Sequence, residues 1–373
     1  MLNFFILHGY LLVLILLSAV LIVTGLVVNR SFLKQVFYNL SAVFIALILY
    51  ETYLWMRKPD KDKTYNTGTY ARTGYFNQSD LLGYQPADSG TFTSKKFTSG
   101  GVPVYEVTYT FKNGKRFTPN SYEDSPDVAV FFGCSITFGE GVADTCTWPY
   151  YYNEASGNKY RVINYGFHGY GPHQMLAIAE NRLADDLRNG NAGKVVAIYS
   201  FIPDHIRRCA GYSKWDKNGP RYEIVNGKLI REGTFASLQD PGTKSNLLVS
   251  AWKSSNTYLA NFALESKKAS QDDVRRTIEI IRKTRAILQN HGIPFRVVAW
   301  NQRKDPGRIE QKDLDYFYTI LKQSGIPVLF VTDTVSRERF EKERDLYSIR
   351  NEVHPTPYFY KTVACYIFNH SNP

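Results

Sequence analysis

Three side chains of this 373-residue sequence could together activate a nucleophile: a serine at 135, a glutamate at 352 and a histidine at 354. A serine hydroxyl attacks poorly until a base takes its proton, and histidine is the usual base. A carboxylate beside that histidine holds its tautomer and stabilises the imidazolium that forms. Ser135 lies in VAVFFGCSITFGEG, residues 128–141. The run Val128-Ala129-Val130-Phe131-Phe132 reads as a buried parallel strand that stops at Gly133. Ser135 then stands just past the carboxyl end of a first strand, where open α/β sheets place ligands. The glycines allow a sharp bend, and backbone amides at such a turn can donate to an anion. Taken alone, the stretch fits a plain strand-to-helix turn with a solvated serine equally well.

Polar groups gather at two further strand ends. The stretch 160–165 reads as a strand and runs into NYGFHGYGPHQ, with Asn164, Gly166, His168, Gly169 and Gly171. The apolar stretch 194–201 ends in IPDHIRR, with Asp204 and His205. His168, His173 and His205 fit hydrogen-bonded wall residues better than bases. Arg207 and Arg208 suit either attraction of an anionic substrate or pairing with Asp204. No two His or Cys residues show metal-ligand spacing, so no metal and no cofactor are expected.

The elements that must position these residues alternate. Residues 173–187 read as a helix. Ser270 to Asp273 form a helix start, and Val274, Ile278, Ile281 and Leu288 follow on one face. A strand over 294–300, a helix over 309–323 and a strand over 328–331 complete the series. Both late helix-to-strand joints read Gly-Ile-Pro, at 292–294 and 325–327. Five strands with intervening helices predict a parallel sheet covered on both faces. Residues 209–265 break the alternation and read as an insertion over one edge of the site, with an Asn226-Gly227 hairpin. Ahead of the sheet, a strand over 104–111 and the Asn113-Gly114 turn predict a small antiparallel element packed on the main domain. Arg116 in that hairpin reads as solvated, with contact to an acidic substrate as the alternative.

The blocks and their order resemble those of the SGNH (GDSL-type) hydrolases, a family of esterases, lipases and carbohydrate acyl-group hydrolases and transferases. The resemblance covers roughly residues 126 to 370. GCSITFGEG is similar to the family's Gly-Asp-Ser block and implies Ser135 as nucleophile. NYGFHGYG is similar to the second block and implies an oxyanion-hole amide from Gly169. NEVHP is similar to the last block and implies His354 as base, with Glu352 as its acid. The implied fold is a three-layer α/β/α, flavodoxin-like parallel sheet over 126–373. Three departures stand out. Cys134 replaces the aspartate beside the serine. The third block's oxyanion-donating asparagine falls on Pro203 or Asp204, neither of which donates an amide N–H. A missing donor of this kind costs about a hundred- to a thousandfold in rate, and His205 is the substitute at hand. Asn351 occupies the commoner acid position, three residues before the histidine. Substrate or oxyanion contacts are thus expected from Gly169, Asp204 and His205.

The first 58 residues read as a transmembrane helical hairpin. Residues 4–28 form a nearly unbroken apolar run of bilayer-spanning length, and 37–55 form a weaker one. Glu51 is expected to reach the interface, in an aromatic belt of Tyr50, Tyr53 and Trp55. Arg30 and Lys34 in the turn favour an exported catalytic domain, whereas Arg57, Lys58, Lys61 and Lys63 favour the reverse. The uncharged amino end tips the reading to a bacterial inner-membrane protein with its catalytic domain outside the cytoplasm. Residues 59–125 are expected to be a linker and the β-rich lead-in. The net charge of +11 favours acidic partners. The basic residues are scattered and no nucleic-acid motif appears, so nucleic acid is not expected. The expected substrate is an acylated glycan or lipid. Ester hydrolysis, transfer of the acyl group to a sugar hydroxyl, and an idle glycan-binding scaffold are the three functions the blocks allow.

Overall fold

The computed structural model describes residues 2–57, 64–71, 74–188, 193–239, 266–303 and 307–370. The helices of residues 2–57 belong to one compact unit; the described parts of 62–238 and 268–373 form the other.

The first unit holds two helices, Leu2–Val27 and Ser31–Arg57. They pack along each other, and Ser18 and Ser41 join them through hydroxyls 2.9 Å apart. Within the second helix, Ser31–Tyr53 is long and apolar enough to cross a bilayer. In the first, the described side chains give a shorter apolar stretch, Val13–Val27. Glu51 does not reach outward but is buried, at 4% exposure. Lys58, Lys61 and Lys63 lie outside the described residues.

The second unit is built on a mixed nine-stranded sheet. Its parallel part runs, in spatial order, Arg161–Asn164, Val128–Phe132, Val195–Phe201, Phe295–Ala299 and Val328–Phe330. In chain order this is 2-1-3-4-5, the flavodoxin-like sequence. Side chains alternate across it as strand geometry demands. Val128, Val130 and Phe132 enter one core with Ile278, Ile281 and Phe317. Ala129 and Phe131 enter the opposite core with Trp148, Phe359 and Val363. Both faces are therefore covered by helices, which is why these strands are apolar throughout. The helix Gln271–Asn290 begins as its sequence dictates: Ser270 Oγ accepts from the Asp273 amide, and Asp273 accepts from the Ser270 amide. The single helix expected over 173–187 is two, Pro172–Asn181 and Leu183–Arg188. Arg182 leaves helical geometry at φ −127°, which the apolar pattern did not reveal.

The β-rich lead-in does not stand apart. Thr64–Thr67, Gly90–Thr98, Pro103–Lys112 and Lys115–Arg116 extend the same sheet, joined to it where Arg116 faces Asn164. The boundary expected near residue 125 thus does not divide the sheet. Arg116 is correspondingly buried, at 2% exposure, rather than solvated. Its guanidinium stacks 4.4 Å from the Tyr109 and Phe138 rings and pairs with Asp144 at 2.8 Å. Its Nη2 also donates to the Val142 carbonyl. A buried cation needs such company, because removing it from water is costly. Of the insertion, Pro220–Val225 and Lys228–Thr234 pair across the Asn226-Gly227 turn, while 240–265 lie outside the described residues.

Asp144→Ala would leave the Arg116 charge buried without its carboxylate. It is expected to destabilise the chain by about 3 kcal/mol or more, measured by urea unfolding in detergent; an unchanged midpoint would contradict the pair's role.

Candidate active site

The turn after Val128–Phe132 is defined by what cannot fit there. Gly133 has φ +153°, and a Cβ on it would lie 2.2 Å from Thr137 Oγ1 and 2.9 Å from Ser200 Cβ. Thr137 turns its hydroxyl back to the Phe132 carbonyl, at 3.2 Å. Ser135 opens the short helix Ser135–Phe138. The second block clamps this turn from the side. Asn164 Nδ2 donates to the Thr137 carbonyl (3.1 Å), and Asn164 Oδ1 accepts from the Gly166 amide (2.9 Å). A Cβ at Gly166 would come within 2.6 Å of the Phe138 nitrogen, so glycine permits that close approach. Cys134, where the resembled family has aspartate, is fully buried, its sulfur 4.0 Å from Ser135 Oγ.

The histidine arrives on a tight loop. Ser348 bridges to Pro355, and the Ile349 amide donates to the His354 carbonyl at 2.9 Å. Asn351 forms the exposed left-handed corner, at φ +60°, and the next residue points inward. His354 Nε2 lies 2.8 Å from Ser135 Oγ, and Nδ1 lies 2.9 Å from Glu352 Oε1. Glu352 also pairs with Lys96 and accepts from the Val353 amide at 2.9 Å. Burial pushes its carboxyl up, but the bonds from His354, Lys96 and Val353 outweigh this and hold it at about 2. An ionised carboxylate only accepts, so Nδ1 carries the imidazole proton and Nε2 is left to accept from the serine.

A second carboxylate stands on the other side. Glu140 Oε2 is 2.7 Å from His168 Nδ1 and 3.6 Å from His354 Nε2, and His168 Nε2 is 2.7 Å from the Tyr75 hydroxyl. Burial raises the Glu140 carboxyl, yet the two histidines and Lys96 hold it well below the usual range. Burial also pushes the Tyr75 hydroxyl up. Tyr75 therefore donates to His168, which donates to Glu140. Neither Glu140 nor Lys96 was foreseen. Glu140 sits in the same block as Ser135, five residues on, and could have been suspected. Lys96 carried no signal, lying 256 positions from its partner.

Ser135 and His354 open on a cavity of about 1030 Å³. Gly169 and Asp204 also line it. Gly169 has φ +73°, and its carbonyl accepts from Trp215 Nε1 at 3.3 Å. Asp204 is bound by Arg207 (2.9 Å), Arg208 (3.0 Å) and Arg308 (3.6 Å). Pairing with Asp204 is thus what Arg207 and Arg208 do. His205 departs from expectation: it is wholly buried and outside the cavity wall. Its Nδ1 accepts from Tyr199 (2.6 Å), and burial holds it neutral, its pKa well below the ordinary value. A side chain so placed cannot stand in for the missing asparagine.

No family model matches the chain, and no curated protein does. Among solved structures, it is similar to a lipolytic protein of the G-D-S-L family from Desulfitobacterium hafniense, at 12% identity over 66% of this chain and 99% of that one, TM-score 0.38. It is also similar to LAE5, an alpha/beta hydrolase from the metagenome of Lake Arreo, at 10% identity over 67% and 98%, TM-score 0.36. A carbohydrate acetylesterase family member from Sinorhizobium meliloti matches at 10% identity over 66% and 97%, TM-score 0.34. Likeness at this level says nothing of chemistry. On its own strand order, the fold is a flavodoxin-like α/β sheet.

The depressed carboxyl of Glu352 has a pH consequence. A carboxyl held below its ordinary value contributes stability above that value, lost as pH falls through about 2. Lys96→Met removes one cause of the depression, so it is expected to be less stable than wild type at pH 7, with the gap narrowing as pH falls from about 4 toward 2. Parallel denaturation curves for the two proteins would refute this by showing a pH-independent difference.

Proposed function

We propose that this chain is a membrane-anchored serine esterase acting on an acylated glycan or lipid through an acyl-enzyme on Ser135. The observation that carries the reading is the continuous hydrogen-bonded line Ser135–His354–Glu352 at a cavity wall, with spacings of 2.8 and 2.9 Å. In this reading His354 Nε2 takes the Ser135 proton as Oγ attacks the ester carbonyl carbon. The Oγ–C bond forms and the carbonyl becomes a tetrahedral oxyanion. The imidazolium, steadied by Glu352 and Glu140, returns the proton to the leaving alcohol as the ester C–O bond breaks. Water then repeats the sequence on the acyl-enzyme and frees the acid. The backbone amides of Ser135 and Gly169 are assigned the oxyanion. Asp204, engaged with three arginines and unable to donate, gives it nothing. The stretch Ser31–Tyr53 supports anchoring in a bilayer, by length and composition. The short turn with Arg30 and Lys34 supports an inner-membrane protein with its catalytic unit outside the cytoplasm.

A second reading gives the acyl group to a sugar hydroxyl instead of water. The cavity of about 1030 Å³ favours it, since this exceeds the needs of a small acyl ester and leaves room for an acceptor.

A fluorophosphonate probe tests the common step. Wild type is expected to label and Ser135→Ala to stay blank; no label on wild type would leave only a binding scaffold. With p-nitrophenyl acetate, His354→Ala and Glu352→Gln are each expected to lower kcat/KM by about a thousandfold or more. A product assay with added oligosaccharide separates free acid from transferred ester.

A further inference from the structure

The cavity beside Ser135 is charged on one wall. Among the described residues its lining holds five cations, Arg208, Lys214, Lys217, Arg303 and Arg308, and one carboxylate, Asp204. Arg207 reaches Asp204 from behind, so three guanidiniums surround one carboxylate. The three arginines hold Asp204 ionised against its burial. Among the described residues, cations thus outnumber carboxylates on this partly desolvated wall, where charges interact far more strongly than in water. Arg208 is held rigidly, with Nη1 donating to the Tyr170 carbonyl at 2.8 Å.

Arg303 joins the cavity lining to the loop of Glu352 and His354. Its Nη2 donates to Ser348 Oγ at 2.6 Å, on the loop that carries Glu352 and His354. Its Nε is buried with no hydrogen-bond partner. A buried donor without an acceptor costs free energy.

The rest of the lining includes flat aromatic surfaces. Trp215 is 56% exposed beside Gly169, and Tyr84 and Trp300 also face the cavity. An alkyl chain gains nothing from guanidiniums, whereas a charged sugar uses both features: its oxyanion meets the arginines and its ring lies on an aromatic face. The geometry points to an acylated sugar bearing a carboxylate or phosphate as the substrate class of this site. The inference rests on the esterase reading for the ester bond, but the recognition of the anion stands on the wall alone.

The test separates the two. Full-length, detergent-solubilised Ser135→Ala binds without turnover. Its Kd is measured for acetylated oligogalacturonate, for a phosphorylated acetylated mannan fragment, and for the neutral counterpart of each. At least one anionic ligand is expected to bind about tenfold or more tighter than its neutral counterpart, and 0.5 M NaCl to erode the difference. Arg308→Gln added to that background is expected to shrink the preference to about threefold or less. Lys217→Gln, at an exposed position, gives the same direction should the arginine variant fail to fold. Equal binding of charged and neutral sugars overturns the inference even if wild type cleaves p-nitrophenyl acetate. Stronger binding to acyl phosphatidylglycerol vesicles than to both sugars overturns it as well. Charge-selective binding with no ester turnover by wild type upholds the anionic site while the esterase reading falls.

Discussion

An ionised glutamate can only accept hydrogen bonds, and the site depends on that restriction. Glu352 is kept ionised by Lys96, by the Val353 amide and by His354 itself. Because it cannot donate, the imidazole must place its proton on Nδ1. Nε2 is then free to face Ser135, 2.8 Å away. A neutral acid at 352 would permit the other tautomer, and the serine would lose its base. The hydrogen-bonded line Ser135–His354–Glu352 is thus set by one electrostatic fact as much as by distance.

That fact reaches into the antiparallel part of the sheet. Lys96 lies on Gly90–Thr98, a strand of the lead-in. The next hairpin sends Arg116 between Tyr109 and Phe138, against the turn that carries the serine. Burying two cations so close to the site would be costly without Glu352 and Asp144 to meet them. The lead-in is therefore part of the scaffold around Ser135.

Charge also divides the site into two sides. Glu140 and Glu352 flank the imidazole of His354. The arginines around Asp204 stand elsewhere on the cavity wall. His168 and Tyr75 fill the space behind Glu140 with donors, so that carboxylate too is satisfied rather than stranded. His205, by contrast, is spent on Tyr199 in the core.

Much of this was legible in the residues themselves. Apolar runs at 128–132 and 194–201 read as strands covered on both faces, and the helix cap at Ser270 and the Asn-Gly turns rest on local rules that hold wherever the chain goes. The Ser135, Glu352 and His354 types named a chemistry. What local pattern cannot carry is partnership across hundreds of residues. Lys96 reads as one more surface lysine until the sheet lays its strand beside the loop of Glu352. Arg116 reads as solvated until Asp144 and two rings close over it, and His205 reads as a site residue until the core takes it. Periodicity and caps are properties of neighbours along the chain, so sequence determined the elements; charge pairing and burial are properties of neighbours in space, and only the folded sheet decided those.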